Sequence, residues 1–230
     1  MSDLENNYSD TLEELGLPPE DYMDSDSFHK LMLDRQLITE RRKGNLYGTT
    51  LIRETFPAFL RSIGCRTGAE VGVHRGAYTR MFAEQLTGTF YAIDPWVCWP
   101  AYLCSGGLYR LKSNPGSLEK TENARKVAYN RLEKYNHVKI LRQTSIQATL
   151  TIPDESLDMV YIDGNHKYPY VIIDLWGYWE KLRVGGIMSG HDLNFSTVNK
   201  AVNEFIAKLK IPYWYVMENE RPTSFLFIKE

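Results

Sequence analysis

From Ala69 onward, short strand-like apolar runs alternate with amphipathic helical stretches, and no other feature of the sequence restricts its fold so strongly. Ala69 to Val73 reads as a strand. The next stretch sets Tyr78, Met81, Phe82 and Leu86 on one helical side, and Thr89 to Ile93 reads as a strand again. The rhythm continues through a helix near Thr121 to Tyr135, strands at Val138 to Arg142 and Leu157 to Ile162, a helix from Pro169 to Leu182 and a strand at Gly186 to Ser189. Strands joined through helices run parallel, because the crossover returns the chain to the same end of the sheet, and the helices then cover both faces. The end breaks this rhythm. A helix carrying Val198, Val202, Phe205, Ile206 and Leu209 precedes two strand-like runs, Tyr213 to Met217 and Ser224 to Ile228. The turn from Glu218 to Pro222 between them implies an antiparallel hairpin.

Upstream, Ile52, Phe56, Phe59, Leu60 and Ile63 share one helical face, with Pro57 starting or kinking the helix and Gly64 ending it. Ser2 to about Lys43 is acidic and polar, with Pro18-Pro19 and a helix expected from Ser27 to Arg42. Residues 1–48 are therefore read as an N-terminal helical appendage or lid and residues 49–230 as the main domain. The segment from Lys43 to Thr49 is expected to fold over the mouth of that domain and to bring Tyr47 to it.

Charge and composition exclude several classes of partner. Lys and Arg total 27 against 29 Asp and Glu, and a net charge of −2 supplies no general basic field for a phosphate backbone, so nucleic acid is the weaker expectation. The acidic start lacks a secretory pattern and no 18-residue apolar run occurs, so a cytoplasmic protein that does not enter a membrane is expected. Cys65, Cys98 and Cys104 show no CxxC spacing and are read as free thiols.

The first loop after a strand reads Glu70-Val71-Gly72-Val73-His74-Arg75-Gly76, and glycines there let the backbone approach a ligand closely. His74 stands where a dinucleotide fingerprint needs its second glycine, which disfavours a nicotinamide cofactor. The second strand ends at Ile93-Asp94-Pro95, placing a carboxylate at the position that commonly accepts hydrogen bonds from ribose hydroxyls, 24 residues after Glu70. Glycine and Asp-Pro also serve plain turns, but the agreement of successive strand ends favours a ligand site. The loop resembles the E/D-x-G-x-x-x-G loop of class I methyltransferases, and the resemblance runs from about Leu51 to the end. It implies a Rossmann-like sheet of seven strands, mostly parallel with a C-terminal antiparallel hairpin strand and helices on both faces, and S-adenosylmethionine as cofactor. It assigns Glu70, Gly72 and Gly76 to the methionine part of that cofactor, Asp94 to the ribose and Ser145, less directly Thr144, to the adenine, with Asp163 adjoining.

The richest stretch is Asp163-Gly164-Asn165-His166 at the end of an apolar strand, answered at the next strand end by Gly190-His191-Asp192. Asp163, His166, His191 and Asp192 could thus converge beside the cofactor. The pairing resembles a small-molecule branch of class I methyltransferases and, more distantly, catechol-type O-methyltransferases. The latter resemblance implies a divalent cation such as magnesium on Asp163 and Asp192, but Leu193 falls where a third oxygen ligand belongs, so His191 or Asn194 would have to replace it. His166 occupies the place of a base, and imidazole with an unperturbed pKa of about 6.5 suits that role. For His166 the plain alternative is a surface or helix-capping residue, and for His191 a supporting hydrogen bond to a carboxylate. An aromatic lid is expected from Trp96 to Ser117, with a packed loop or the contact of a homo-oligomer as the other reading.

The expected activity is methyl transfer from S-adenosylmethionine to a hydroxyl of a small acceptor such as a sugar, a phenol or a natural-product intermediate. Methylation of nucleic acid or protein is the alternative, and a scaffold that binds cofactor without catalysis is a third.

Overall fold

A computed structural model describes residues 23–42, 46–97, 115–218 and 221–230. Among the described residues, nine strands make one sheet: β1 (Ile38–Arg42), β2 (Leu46–Thr49), β3 (Gly68–Val71), β4 (Phe90–Ile93), β5 (Val138–Leu141), β6 (Leu157–Ile162), β7 (Leu182–Gly190), β8 (Tyr213–Glu218) and β9 (Arg221–Ile228). Their order is β1-β2-β8-β9-β7-β6-β3-β4-β5. Strands β3 to β7 pair in parallel, and β9 lies antiparallel between β7 and β8. The seven expected strands are present with the expected antiparallel hairpin, and β1 and β2 extend the sheet beyond β8.

The helices are α1 (Ser25–Asp34), α2 (Phe56–Ser62), α3 (Ala77–Ala83), α4 (Pro115–Leu132), α5 (Ser145–Thr149), α6 (Tyr168–Trp179) and α7 (Ser196–Leu209). Side chains alternate across a strand, so the central runs, apolar at most positions, feed two cores. Val160, Ile162, Met188 and Phe227 pack with Leu175, Tyr178 and Phe205 of α6 and α7, whereas Met159, Tyr161 and Ile187 pack with Phe28, Phe56, Leu60 and Phe82 of α1, α2 and α3.

The helix expected from Ser27 to Arg42 stops at Asp34, and residues 38–42 form β1. Asp24 caps its start by accepting from the Ser27 amide at 2.8 Å, and Gln36 takes a left-handed φ of 55° that ends it. The expected mouth loop is corrected as well. Leu46–Thr49 is β2, paired in parallel with β8, and the Tyr47 ring lies 4.2 Å from that of His29 and 5.8 Å from that of Trp214.

The entry of the sheet is tied by Asp158. Its carboxylate accepts from the Arg66 amide at 2.7 Å, the Thr67 amide at 2.6 Å and the Thr67 hydroxyl at 2.9 Å, and from Arg183 Nε at 2.7 Å. Burial alone would raise its pKa, but these donors outweigh it and hold the carboxyl below its usual range. Asp158→Ala is expected to cost about 2–4 kcal/mol in denaturant unfolding, because three strands lose a shared charged acceptor. Since the folded-state pKa is depressed, this stabilisation is complete above the ordinary carboxyl range and is lost as pH falls through the folded value, so the gap between the two proteins should narrow in acid.

Candidate functional site

β3 lies between β4 on one side and β6 on the other, so the chain switches sides there and the crevice opens at the carboxyl ends of these strands. The ladder continues into the loops. The Gly72 amide donates to the Ile93 carbonyl at 2.8 Å, the Asp163 amide to the Val71 carbonyl at 2.8 Å and the His191 amide to the Ile162 carbonyl at 3.0 Å. Gly72 has a φ of 98°, and a Cβ there would stand 2.1 Å from the Asp163 carbonyl oxygen, a closeness that only glycine permits. Gly76 opens α3 with a φ of 69°.

Glu70 is buried at the end of β3 and accepts from the Thr79 hydroxyl. Burial pushes its carboxyl up to about 8 against that hydrogen bond. Asp94 closes the loop from the neighbouring strand. One carboxylate oxygen accepts from the His74 amide at 2.8 Å and the other from the Trp96 amide at 2.7 Å. Burial raises its pKa to about 6, with those two amides opposing the rise. Ser145 begins α5, where its carbonyl accepts from the Tyr178 hydroxyl at 3.0 Å, and Thr144 caps the same helix in a reciprocal capping box with Gln147. Asp174 stands close by, its carboxyl pushed up to about 7 by burial against a hydrogen bond from Ser145.

The second strand ends bring together Asp163, His166, His191 and Asp192. His166 Nε2 lies 2.7 Å from one oxygen of Asp192 and 3.9 Å from Asp163, while His191 Nδ1 lies 3.2 Å from the other oxygen of Asp192. Burial would lower the His166 pKa, yet the two carboxylates push it up to about 9. The rise favours the protonated ring, whereas a base needs the neutral one. Asp192 is held well below the carboxylate range, because His166 and His191 outweigh its burial. Asp163, His191 and Asp192 each offer an atom within 4.8 Å of the others, a spacing that one cation could bridge. Leu193, buried in the core, contributes nothing to that set.

Arg53, which the sequence gave no reason to single out, reaches this site. Its Nη2 donates to Asp163 Oδ2 at 2.7 Å, and the guanidinium lies 4.3 Å from the centre of the Tyr78 ring. Burial works against its charge, but Tyr161 and Asp163 hold it firmly protonated. The expected aromatic lid is partly corrected. Trp96 is buried, donates its indole N–H to the His74 carbonyl at 2.7 Å and packs on Tyr129, and Pro115 begins α4; Trp99, Tyr102 and Tyr109 lie outside the described residues.

A family model described as a methyltransferase domain matches residues 69–193, more than half of the chain. No curated protein sequence matches it. Among solved structures, the chain resembles the O-methyltransferase TomG from Streptomyces achromogenes, solved with its cofactor, at a TM-score of 0.55 and 11% identity, covering 100% of this chain and 91% of that one. A putative caffeoyl-CoA O-methyltransferase from Staphylococcus aureus gives a TM-score of 0.56 and 13% identity over 99% of this chain and 100% of the other. An rRNA methylase from Streptococcus thermophilus gives 0.53 and 12% over 76% and 95%. At such identities the likeness speaks for the shared fold.

Proposed function

Because this chain belongs to the methyltransferase-domain family, with S-adenosylmethionine as its cofactor, we infer that it methylates a hydroxyl of a small molecule. The observation that carries this reading is the convergence of Asp163, His166, His191 and Asp192 beside the Gly72 loop. The residues fit the cofactor: the Gly72 turn leaves its backbone bare of side chain, and each Asp94 oxygen, engaged by one amide, keeps a lone pair for a ribose hydroxyl. Bound there, S-adenosylmethionine supplies an activated methyl group. The loop from Glu70 to Gly76 holds its methionine part, Asp94 its ribose and Ser145 its adenine.

The protein's contribution is alignment of the acceptor and management of its proton. To act as base, His166 first releases its own proton to solvent as one of its carboxylate partners turns away and its pKa falls, and the neutral ring then takes the acceptor's proton, while His191 keeps Asp192 in place. Asp163, His191 and Asp192 would hold a divalent cation, which would lower the acceptor hydroxyl's pKa. The net charge of −2 supports a small acceptor over a nucleic acid, while the similar structures include O-methyltransferases and an rRNA methylase alike.

The test is methyl transfer to a panel of phenols, sugars and other small hydroxyl compounds, with bulk RNA beside them. Against the best acceptor, His166→Ala is expected to lower kcat by at least ~100-fold and to leave S-adenosylhomocysteine affinity within about threefold. Transfer to RNA alone, or a kcat within tenfold of the native value, would overturn the reading.

A further inference from the structure

The Arg53 and Asp163 pair stands at the mouth of the Gly72 loop. The Asp163 backbone touches Gly72, since the Cβ that Gly72 lacks would meet the Asp163 carbonyl oxygen at 2.1 Å. Tyr78, two residues after Gly76, places its ring under the guanidinium at 4.3 Å from centroid to Cζ. Arg53 is therefore bracketed by Asp163, which touches the start of the turn, and by Tyr78, which follows its end. Its side chain keeps 29% of its surface, and among the described residues it makes one hydrogen bond, to Asp163, so most of its five N–H donors remain for a ligand. Among the described residues the buried Tyr78 hydroxyl has no hydrogen-bond partner, and Tyr78 lines a small cavity together with Arg53, Phe56 and Tyr161. A buried hydroxyl in that condition is costly unless something answers it.

Charge decides what would answer. The site is rich in carboxylates, with Glu70, Asp94, Asp163 and Asp192 around one crevice. His166 is engaged with Asp192, burial lowers the pKa of His74, and Arg75 is exposed on the outside of the loop. Arg53 is thus the fixed, permanently charged donor set that faces the crevice, held in place by an ion pair on one side and a ring on the other. An ion pair with free donors complements a zwitterion, whose carboxylate can sit on the cation and whose ammonium can sit on the anion. The amino-acid end of S-adenosylmethionine is such a zwitterion.

We propose that Arg53 is the residue that grips the carboxylate of the cofactor's amino-acid end, with the Tyr78 hydroxyl beside it. This rests on the cofactor reading given above. It makes Arg53 a selectivity element: the protein distinguishes the intact cofactor and its demethylated product from adenosine thioethers that lack the amino-acid carboxylate.

The experiment is calorimetric titration of the native protein, Arg53→Met and Arg53→Lys with three ligands: S-adenosylhomocysteine, its decarboxylated analogue, which keeps the ammonium, and 5′-methylthioadenosine, which has neither charge. Charge-assisted hydrogen bonds of this kind make Arg53→Met weaken S-adenosylhomocysteine by roughly 30-fold or more and leave the other two ligands within about threefold, with Arg53→Lys in between. The unchanged ligands also report that the variant is folded. Equal losses on all three ligands would assign Arg53 to holding the loop and overturn the proposal, as would S-adenosylhomocysteine binding within threefold of native. A native protein that binds none of the three would instead remove the cofactor reading beneath it.

Discussion

Replacing Gly72 with alanine is expected to abolish measurable S-adenosylhomocysteine binding and to destabilise the protein by at least ~3 kcal/mol. Two penalties combine. The backbone at Gly72 has a φ of 98°, a region side chains rarely enter, and the new methyl would lie 2.1 Å from the Asp163 carbonyl oxygen, 2.5 Å from its carbon and 2.8 Å from Gly164 Cα. All three obstacles are backbone, so no side chain can rotate away, and relief requires β3 and β6 to part at their carboxyl ends. Those ends carry the Gly72 and Asp163 amide bonds that align the crevice, so the cofactor loop and the acid cluster would lose their register together. For a chain of this length the loss corresponds to a fall in Tm of about 6–12 °C. Gly164→Ala provides the contrast. Its Cβ would meet Val71 Cγ1 at 3.4 Å, an ordinary contact, and its effect on stability should stay near ~1 kcal/mol. Thermal unfolding of both variants checks the pair, and a Gly72→Ala protein melting within about 2 °C of native would show that the close approach is absent.

Asp94→Ala is expected to weaken S-adenosylhomocysteine by at least ~100-fold, the effect of losing two charge-assisted hydrogen bonds to ribose hydroxyls. The loss has a second source, because the His74 and Trp96 amides would forfeit their shared acceptor and the loop between them its closure. The same carboxylate predicts a pH dependence. Burial raises its pKa to about 6, so the folded protein retains this proton at a pH where a free carboxyl has lost it. The acceptor form needed for ribose therefore appears as pH rises through about 6, and affinity should climb over that interval and level off above it. Asp94→Asn, which offers one oxygen where two are used, should bind weakly with no such step. Titrations across that range measure this directly, and a native affinity independent of pH there would contradict the assigned role.

The parts of the site that were legible are those whose signal lies within a few residues. Glu70, Gly72 and Gly76 could be read because a strand running into a helix forces glycine into the turn, and Gly72 and Gly76 have the positive φ values that demand it. Asp94 stood out because it ends a parallel strand, where open sheets of this kind bind ligands, and its carboxylate also closes the loop through two amides. The capping box of Thr144 and Gln147 is an equally local signal that went unread, and it marks α5, a five-residue helix too short for periodicity to reveal. The stretch from Ile38 to Arg42 misled for the opposite reason. Glu and Arg suit a helix, but pairing with β2 at the edge of the sheet outweighs that weak preference.

Periodicity and loop chemistry were enough to determine a mostly parallel sheet, its closing hairpin and the positions at the strand ends. Only the folded chain decided the partnership of Arg53 with Asp163, 110 residues apart, the raised pKa of His166 between Asp163 and Asp192, and the place of Tyr47 in a strand between β1 and β8 rather than over the mouth. Backbone conformation is governed by neighbours along the chain and leaves its trace in local sequence. Ion pairing, desolvation and edge pairing depend on groups far apart in sequence, and these meet only when the sheet has set their strands side by side.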